Sequence, residues 1–316
     1  GYGCTDPTAC NYDPNAGCDD GSCCNTFGCT DPLATNFNPL ACCDDGSCTY
    51  PFNCNCTGTT SVTNNTLEAY LESLGYGDGT TGNNLIDNSN ACPVIELDLN
   101  RYLMPNNVNN FTGIEAFCAL EILKASGHNM SMLPSLSFAP NLRRLDVGGC
   151  ANLTGGNIDL TQNPLLEIFK GMGSGLQVLP DFSGNPLLKN LSVNGCQLTT
   201  ADLSGMSNLR LAWLYNNQIT SFDFTGCTML NELFVSNNNA MTTIDVSMCA
   251  SLVDFYVVNC GNVTDIYLGS TIPITQLTGF STSSSNAAVL IHVGTAARVA
   301  QAQSYWGSGI VGTFVI

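Results

Sequence analysis

Not one lysine or arginine occurs among the first hundred residues of this 316-residue chain, although thirteen Asp and Glu do. The whole sequence holds only eight basic residues and has a formal net charge of -17. A field of that sign repels nucleic acid and anionic membranes, which argues against either as a partner, and it attracts divalent cations. Histidine is scarce too: there are two, His128 and His292. A Gly-x-Ser-x-Gly elbow, a Gly-x-Gly-x-x-Gly or phosphate-binding loop, and a His-Glu-x-x-His helix are all missing, so no catalytic residue is assigned and the chain reads as non-enzymatic. No apolar run is long enough to span a bilayer, and no secretory leader is legible. With Gly1 in place of Met, the chain reads as a processed product or as a piece of something longer.

Cysteine, by contrast, is abundant. Eleven of eighteen fall within the first 56 residues, a density that implies an oxidising compartment and a disulfide-rich amino-terminal module. Residues 3–48 hold two copies of one unit, offset by 25. Gly3-Cys4-Thr5-Asp6-Pro7, Asn11-Tyr12-Asp13-Pro14 and Asp19-Asp20-Gly21-Ser22-Cys23 return as Gly28-Cys29-Thr30-Asp31-Pro32, Asn36-Phe37-Asn38-Pro39 and Asp44-Asp45-Gly46-Ser47-Cys48. Asp-Pro, Asn-Pro and Asp-Gly are turn formers, so each unit is expected to be loops stapled by sulfur. Cys4–Cys23 and Cys29–Cys48 are the equivalent outer pairs, and Cys10–Cys18 fits inside the first unit. Cys24, Cys42, Cys43, Cys54 and Cys56 stay unassigned. Asp6, Asp19, Asp20, Asp31, Asp44 and Asp45 are candidate Ca²⁺ ligands, since carboxylates grouped in turns suit that ion, although their spacing is not an EF-hand loop. The alternative is solvated turn carboxylates. Seven Asn-x-Ser/Thr sequons, at Asn55, Asn64, Asn110, Asn129, Asn152, Asn190 and Asn262, fit surface exposure.

The two units resemble the GCTDP…DDGSC repeats strung along large surface proteins of marine bacteria and some of their viruses. That resemblance implies a stalk or spacer. Residues 51–63 read as a linker. From Asn64 the pattern turns helical, with Leu67, Tyr70, Leu71 and Leu74 on one face, Asn65 or Thr66 as cap and Gly75 as stop.

A second phrase then recurs: apolar, two free, apolar, one free, apolar, two free, then Asn, Cys or a substitute. Leu120, Leu123, Ala125 and His128 give one copy; Leu142, Leu145, Val147 and Cys150 give the next. A degenerate copy reads Leu165, Ile168, Lys170 and Gly173. Four more begin at Leu188, Leu209, Leu230 and Leu252, ending on Cys196, Asn217, Asn238 and Cys260. A fixed period in the low twenties specifies a solenoid. Residues 66–316 resemble bacterial surface-type leucine-rich repeat proteins. The expected fold is therefore α/β: a leucine-rich repeat solenoid with a parallel sheet on its concave face, an irregular convex side, a helical amino-terminal cap and a β-α-β carboxy-terminal cap. The domains are Cys-rich repeats at 1–25 and 26–50, the linker at 51–63, the cap at 64–93, the repeats at 94–280 and the closing cap at 281–316.

Stacking turns sequence columns into ladders. Cys150, Cys196 and Cys260 are expected as buried structural thiols. Asp159, Asp181, Asp202, Asp223 and Asp245, each two residues before Ser or Thr, are expected to cap turns, with a cation-binding edge as the rival reading. Cys92–Cys118 and Cys227–Cys249 fall in shared columns and are expected to bond. The outward column reads Lys124, Asp146, Phe169, Ser192, Trp213, Phe234 and Tyr256, with Tyr215 further along one strand. Exposed aromatics in a row mark recognition, and Lys124 and Arg144 are among the basic residues that would make this face mildly basic. Phe169, Trp213, Tyr215, Phe234, Tyr256, Lys124 and Arg144 are thus the candidate ligand-binding residues. The expected function is extracellular or surface recognition of a protein or glycan from a disulfide-stapled stalk; the alternative is a self-assembling subunit of a fibre, sheath or virion appendage.

Overall fold

The computed structural model describes residues 1–9, 11–29, 38, 41–44, 47, 56–282, 289–306 and 310–316. The chain divides into two units, Gly1–Asn53 and Cys54–Ile316. In the first, each Cys-rich repeat closes a two-rung parallel bridge. β1 (Tyr2–Gly3) pairs with β2 (Cys18–Asp19), and β3 (Phe27–Gly28) pairs with β4 (Cys43–Asp44) in the equivalent register. Cys4 bonds Cys23, and Cys24 bonds Cys42. The Cys10–Cys18 pairing falls on Cys10, outside the described residues, and Cys18 carries an exposed free thiol. The Cys29–Cys48 pairing falls on Cys48, likewise outside them.

The second unit begins inside the stretch read as a linker. β5 (Thr59–Ser61) pairs antiparallel with β6 (Leu85–Asp87), so these residues belong to the cap of the solenoid. Between them lies α1 (Asn65–Ser73). Its N-cap is Asn64 rather than Asn65 or Thr66, because the Asn64 Oδ1 accepts from the N–H groups of both Thr66 and Leu67, at 3.0 Å each, satisfying two of the helix's free donors. Leu67 and Leu71 are buried, while Leu74 is exposed. The helix ends at Gly75, whose φ of +82° is costly for other residues. A short α2 (Asn88–Ala91) follows.

The repeats then build a parallel sheet: β7 (Glu96–Asp98), β8 (Ile122–Lys124), β9 (Arg144–Asp146), β10 (Ile168–Lys170), β11 (Asn190–Ser192), β13 (Leu211–Trp213), β15 (Glu232–Phe234) and β17 (Asp254–Tyr256) lie side by side in that order. Their middle residues, Leu97, Leu123, Leu145, Phe169, Leu191, Ala212, Leu233 and Phe255, are paired across the sheet and completely or almost completely buried. Burial at the centre of each strand, repeated at every turn, is what holds the stack together.

The convex side is less irregular than expected. Its second half forms further parallel strands: β12 (Thr200–Asp202) with β14 (Ser221–Asp223), then β16 (Thr243–Asp245), β18 (Asp265–Tyr267), β19 (Leu290–His292) and β20 (Thr313–Val315). A Thr/Ser-x-Asp phrase around an apolar residue, Ala201, Phe222 or Ile244, forms the second strand of the turns at β12, β14 and β16. The closing β19–α3–β20 unit, with α3 (Ala296–Trp306), extends this convex sheet. Arg298 in α3 reaches the carbonyls of Val293 and Ile272, at 2.7 and 2.6 Å.

Candidate binding surface

Three ladders position the concave face. The first is a turn just after each strand, where the backbone must be left-handed. Gly127, Gly149, Gly173, Gly195, Asn216, Asn237 and Asn259 occupy it, with φ from +56° to +81°. Only Gly and, at modest cost, Asn adopt that conformation. The residue after it points inward: His128, Cys150, Ser174, Cys196, Asn217, Asn238 and Cys260. The Asn217 Nδ2 donates to the Val193 carbonyl at 3.0 Å, while its Oδ1 accepts from Leu198 N–H. Cys196 Sγ reaches the Gly171 carbonyl at 3.1 Å and Cys150 Sγ reaches Ala125 at 3.3 Å, giving the same backward bond through a thiol. Burial pushes the thiols of Cys150, Cys196 and Cys260 upward in pKa, so these groups are inert protonated donors.

This register corrects one site assignment. In the degenerate repeat the inward residues are Leu166 and Phe169, and Ser174, not Gly173, enters the Asn/Cys ladder. Phe169 is completely buried and packs edge-on against Phe182, with centroids 5.3 Å apart. It is a core residue, and Lys170 takes the outward position between Asp146 and Ser192. A one-residue slip exchanges the two faces of a strand.

The second ladder caps the return path. The Oδ1 atoms of Asp159, Asp181, Asp202, Asp223 and Asp245 accept the N–H two residues on, at 2.8–3.0 Å. Hydrogen bonds from Thr161, Ser183 and Thr225 hold Asp159, Asp181 and Asp223 below the usual carboxylate range. Turn capping thus accounts for the column. The candidate calcium ligands Asp6, Asp19 and Asp20 behave alike, accepting from Thr8, Gly21 and Ser22. Among the described residues no group of three carboxylates converges; Asp31, Asp45 and the side chain of Asp44 lie outside them.

The third ladder holds Asn163, Asn185, Cys227 and Cys249, all buried. The Cys227 Sγ reaches the Leu203 carbonyl at 3.2 Å, as the Asn185 Nδ2 reaches that of Leu160. Cys227 and Cys249 are free thiols, so the expected bond between them is not formed. Stacked side chains run parallel about 4.8 Å apart, whereas a disulfide needs Cβ atoms converging to about 3.8 Å. Burial pushes these thiols up to about 11 and about 12. Cys92 is also corrected: it bonds Cys56, and the Cys118 Sγ lies 3.4 Å from its sulfur. The column does bring Cys92 and Cys118 together, but a third sulfur enters from the segment ahead of β5.

On the concave face itself, charges dominate the early strands. The Lys124 Nζ lies 2.5 Å from Glu96 and 3.7 Å from Asp98, and Arg144 pairs with Asp146 at 3.5 Å. Arg143 and Lys189 share Glu167. Lys124, Arg143, Arg144 and Lys189 of the expected basic patch are therefore held in ion pairs with neighbouring carboxylates. The late strands carry aromatics. Trp213, Phe234 and Tyr256 occupy one outward column on neighbouring strands. Trp213 stacks on Phe234, with centroids 5.9 Å apart and planes 5° from parallel, and Phe234 meets Tyr256 edge-on at 4.7 Å. All three are partly exposed, as is Tyr215 on the same face. Beside them lies a shallow depression of about 490 Å³ that sequence reading missed, lined by Asn190, Arg210, Leu211, Met229 and Glu232. Its signal was the first residue of each strand, which points outward like the third.

An inward Asn/Cys ladder, a concave parallel strand in every turn and a cap at each end make this unit a leucine-rich repeat solenoid. No protein-family model matches the chain, and no characterised protein matches it by sequence. Among solved structures it is similar to the functional domain of InlJ from Listeria monocytogenes, described as including a cysteine ladder, at 19% identity over 75% of this chain and 63% of that one, TM-score 0.44. A leucine-rich repeat protein of Leptospira interrogans aligns at 16% identity over 64% of this chain and 60% of its own, TM-score 0.47. Internalin C2 of L. monocytogenes aligns at 16% over 70% and 92%, TM-score 0.47. The chain thus spans less than two thirds of the first two. Among the described residues no helix is long and apolar enough to cross a membrane.

Proposed function

We propose that the solenoid is a non-enzymatic recognition module that binds a protein or glycan through Trp213, Tyr215, Phe234 and Tyr256, outside the cell, with the disulfide-stapled repeats as its stalk. The observation that carries this reading is the aromatic column: three partly exposed rings on adjacent strands, in mutual contact. Aromatic rings exposed together lose little conformational entropy on binding and present flat faces to sugar rings or apolar side chains. The disulfides fit an oxidising location.

A glycan array and a cell-attachment assay test it, each run with the wild-type chain and with Trp213→Ala plus Phe234→Ala. Truncating two central contacts is expected to weaken binding by roughly a hundredfold, about 2–4 kcal/mol, with the thermal midpoint nearly unchanged. Attachment that survives the double substitution overturns the assignment. Self-association in dilute solution that disappears with the same substitutions favours the structural-subunit alternative.

A further inference from the structure

The convex strands form two separate sheets, β12–β14 and β16–β18–β19–β20, and the first of them has an open edge at β12, toward the preceding turn. β18 turns the backbones of Asp265 and Tyr267 back toward β16, and the Asp265 N–H donates to the Thr242 carbonyl. The equivalent residues of β12 are Thr200 and Asp202, and they turn away from β14 by the same alternation: Leu203 and Gly205, on the odd side, donate to Asp223 and Thr225 at 2.9 and 2.8 Å. The preceding repeat offers Thr200 and Asp202 nothing. Pro180 stands at the register position of Ala201, one period earlier, where an N–H would have met the Thr200 carbonyl. Proline has no N–H to give. The last main-chain bond between these two turns ahead of β12 is Gln197 N–H to the Leu176 carbonyl, and they are next joined at the Asn208 Nδ2, which donates to the Pro186 carbonyl at 2.9 Å. Among the described residues, the main-chain groups of Thr200 and Asp202 on this side have no partner.

What opens there is a cleft of about 610 Å³, within the size range of ligand sites. One wall is the free edge of β12, from Thr200 to Ser204; the other is Val178, Leu179, Pro180 and Asp181, with Phe182 and Met206 also lining the cleft. Val178 is exposed. A sheet edge with alternate N–H and C=O groups free is a template for one more strand. Three residues of extended chain span about 10 Å. The carboxylates of Asp181 and Asp202 line the cleft in a chain of net charge -17, and none of the eight lysines and arginines does.

We propose that this cleft takes an extended, positively charged segment of a partner polypeptide, which adds to the edge of β12 as a parallel or antiparallel strand. Main-chain bonds to Thr200 and Asp202 hold it, the carboxylates of Asp181 and Asp202 select Lys or Arg, and Val178, Phe182 and Met206 receive the alternate apolar side chains. The site is separate from the aromatic column and stands whether or not that column binds.

The test uses the full chain and a fluorescein-labelled peptide alternating Lys and Val, read by fluorescence anisotropy at low and physiological salt. The wild-type chain is expected to bind it, and the peptide with its backbone N-methylated is expected not to. Thr200→Pro removes an N–H that no intrachain acceptor uses, so the fold is retained and binding falls at least about tenfold. Asp181→Asn with Asp202→Asn keeps both turn caps, since the amide oxygen accepts the same bonds; it lowers affinity by roughly three- to tenfold and flattens the salt dependence. The proposal is overturned if the Lys-Val peptide does not bind, if its N-methylated form binds equally well, or if Thr200→Pro and the double Asn variant both leave binding unchanged. Concentration-dependent self-association of the peptide-free chain, lost in Thr200→Pro, would replace the basic partner with a second copy and overturn it too.

Discussion

His128, Cys196 and Asn217 occupy one column, and each solves the same problem with different chemistry. The turn after each strand leaves a carbonyl and an N–H inside the solenoid, and unpaired buried groups cost about 1–3 kcal/mol each. Asn217 serves both groups and Cys196 the carbonyl. His128 serves both: the Val108 N–H donates to its Nδ1 at 3.1 Å, and its Nε2 bonds the Leu99 carbonyl at 2.6 Å. That pattern requires the neutral ring with its proton on Nε2. Burial pushes its pKa below the ordinary 6.5, so the unfolded chain takes up the proton first as pH falls. The stability from neutral His128 is complete above pH 6.5 and is lost as pH drops through the depressed folded value. Thermal melting between about pH 7 and pH 5 should show a midpoint falling with acidity. The slope should be shallower in His128→Asn, which supplies an acceptor and a donor without a titrating ring. Identical slopes would refute this role.

At the scale of the element, the degenerate repeat shows how little separates core from binding surface. Leu165 and Leu166 are adjacent, and so are Ile168 and Phe169; either pair fits the apolar spacing. Stacking resolves it, because Phe169 pairs with Leu145 and Leu191, and only that register puts Gly173 at the turn whose φ is +67°. Phe169→Ala is therefore expected to cost about 3–5 kcal/mol in urea unfolding, whereas Phe234→Ala, on the partly exposed face, costs much less. Equal costs would return Phe169 to the surface. The Asp-x-Ser/Thr turns were legible for the opposite reason: their hydrogen bonds are local, two residues apart, and sequence contains everything they need.

For the whole solenoid, stability is a sum over neighbouring turns, so the ends matter most. β19, α3 and β20 cover the last repeat; Trp306 packs on Phe280 and Phe314, with centroids 5.0 and 5.6 Å apart. Truncation before residue 289 exposes Ile266, Leu268 and Phe280 together with the free edge of β18. Sedimentation should then show association or aggregation of the truncated chain under conditions where the full chain is monodisperse. A monodisperse, equally stable truncation would show that this segment does not serve as a cap.

The period, the inward apolar columns, the Asp turns, the closing β-α-β unit and the aromatic column of Trp213, Phe234 and Tyr256 could all be read from the chain. Each depends on local spacing or on a repeat that stacking copies faithfully. Other features needed the folded chain. Whether Cys227 and Cys249 bond depends on the direction of two side chains, not on their shared column. That Cys92 takes Cys56 depends on a segment arriving from outside the repeats. Lys124 and Arg144 looked like a basic face until Glu96, Asp98 and Asp146 came within ion-pair reach. Pro180 is an ordinary turn residue in sequence; only beside β12 does its missing N–H open a cleft. Periodicity fixes which residues share a ladder, and three-dimensional packing decides what each one meets there.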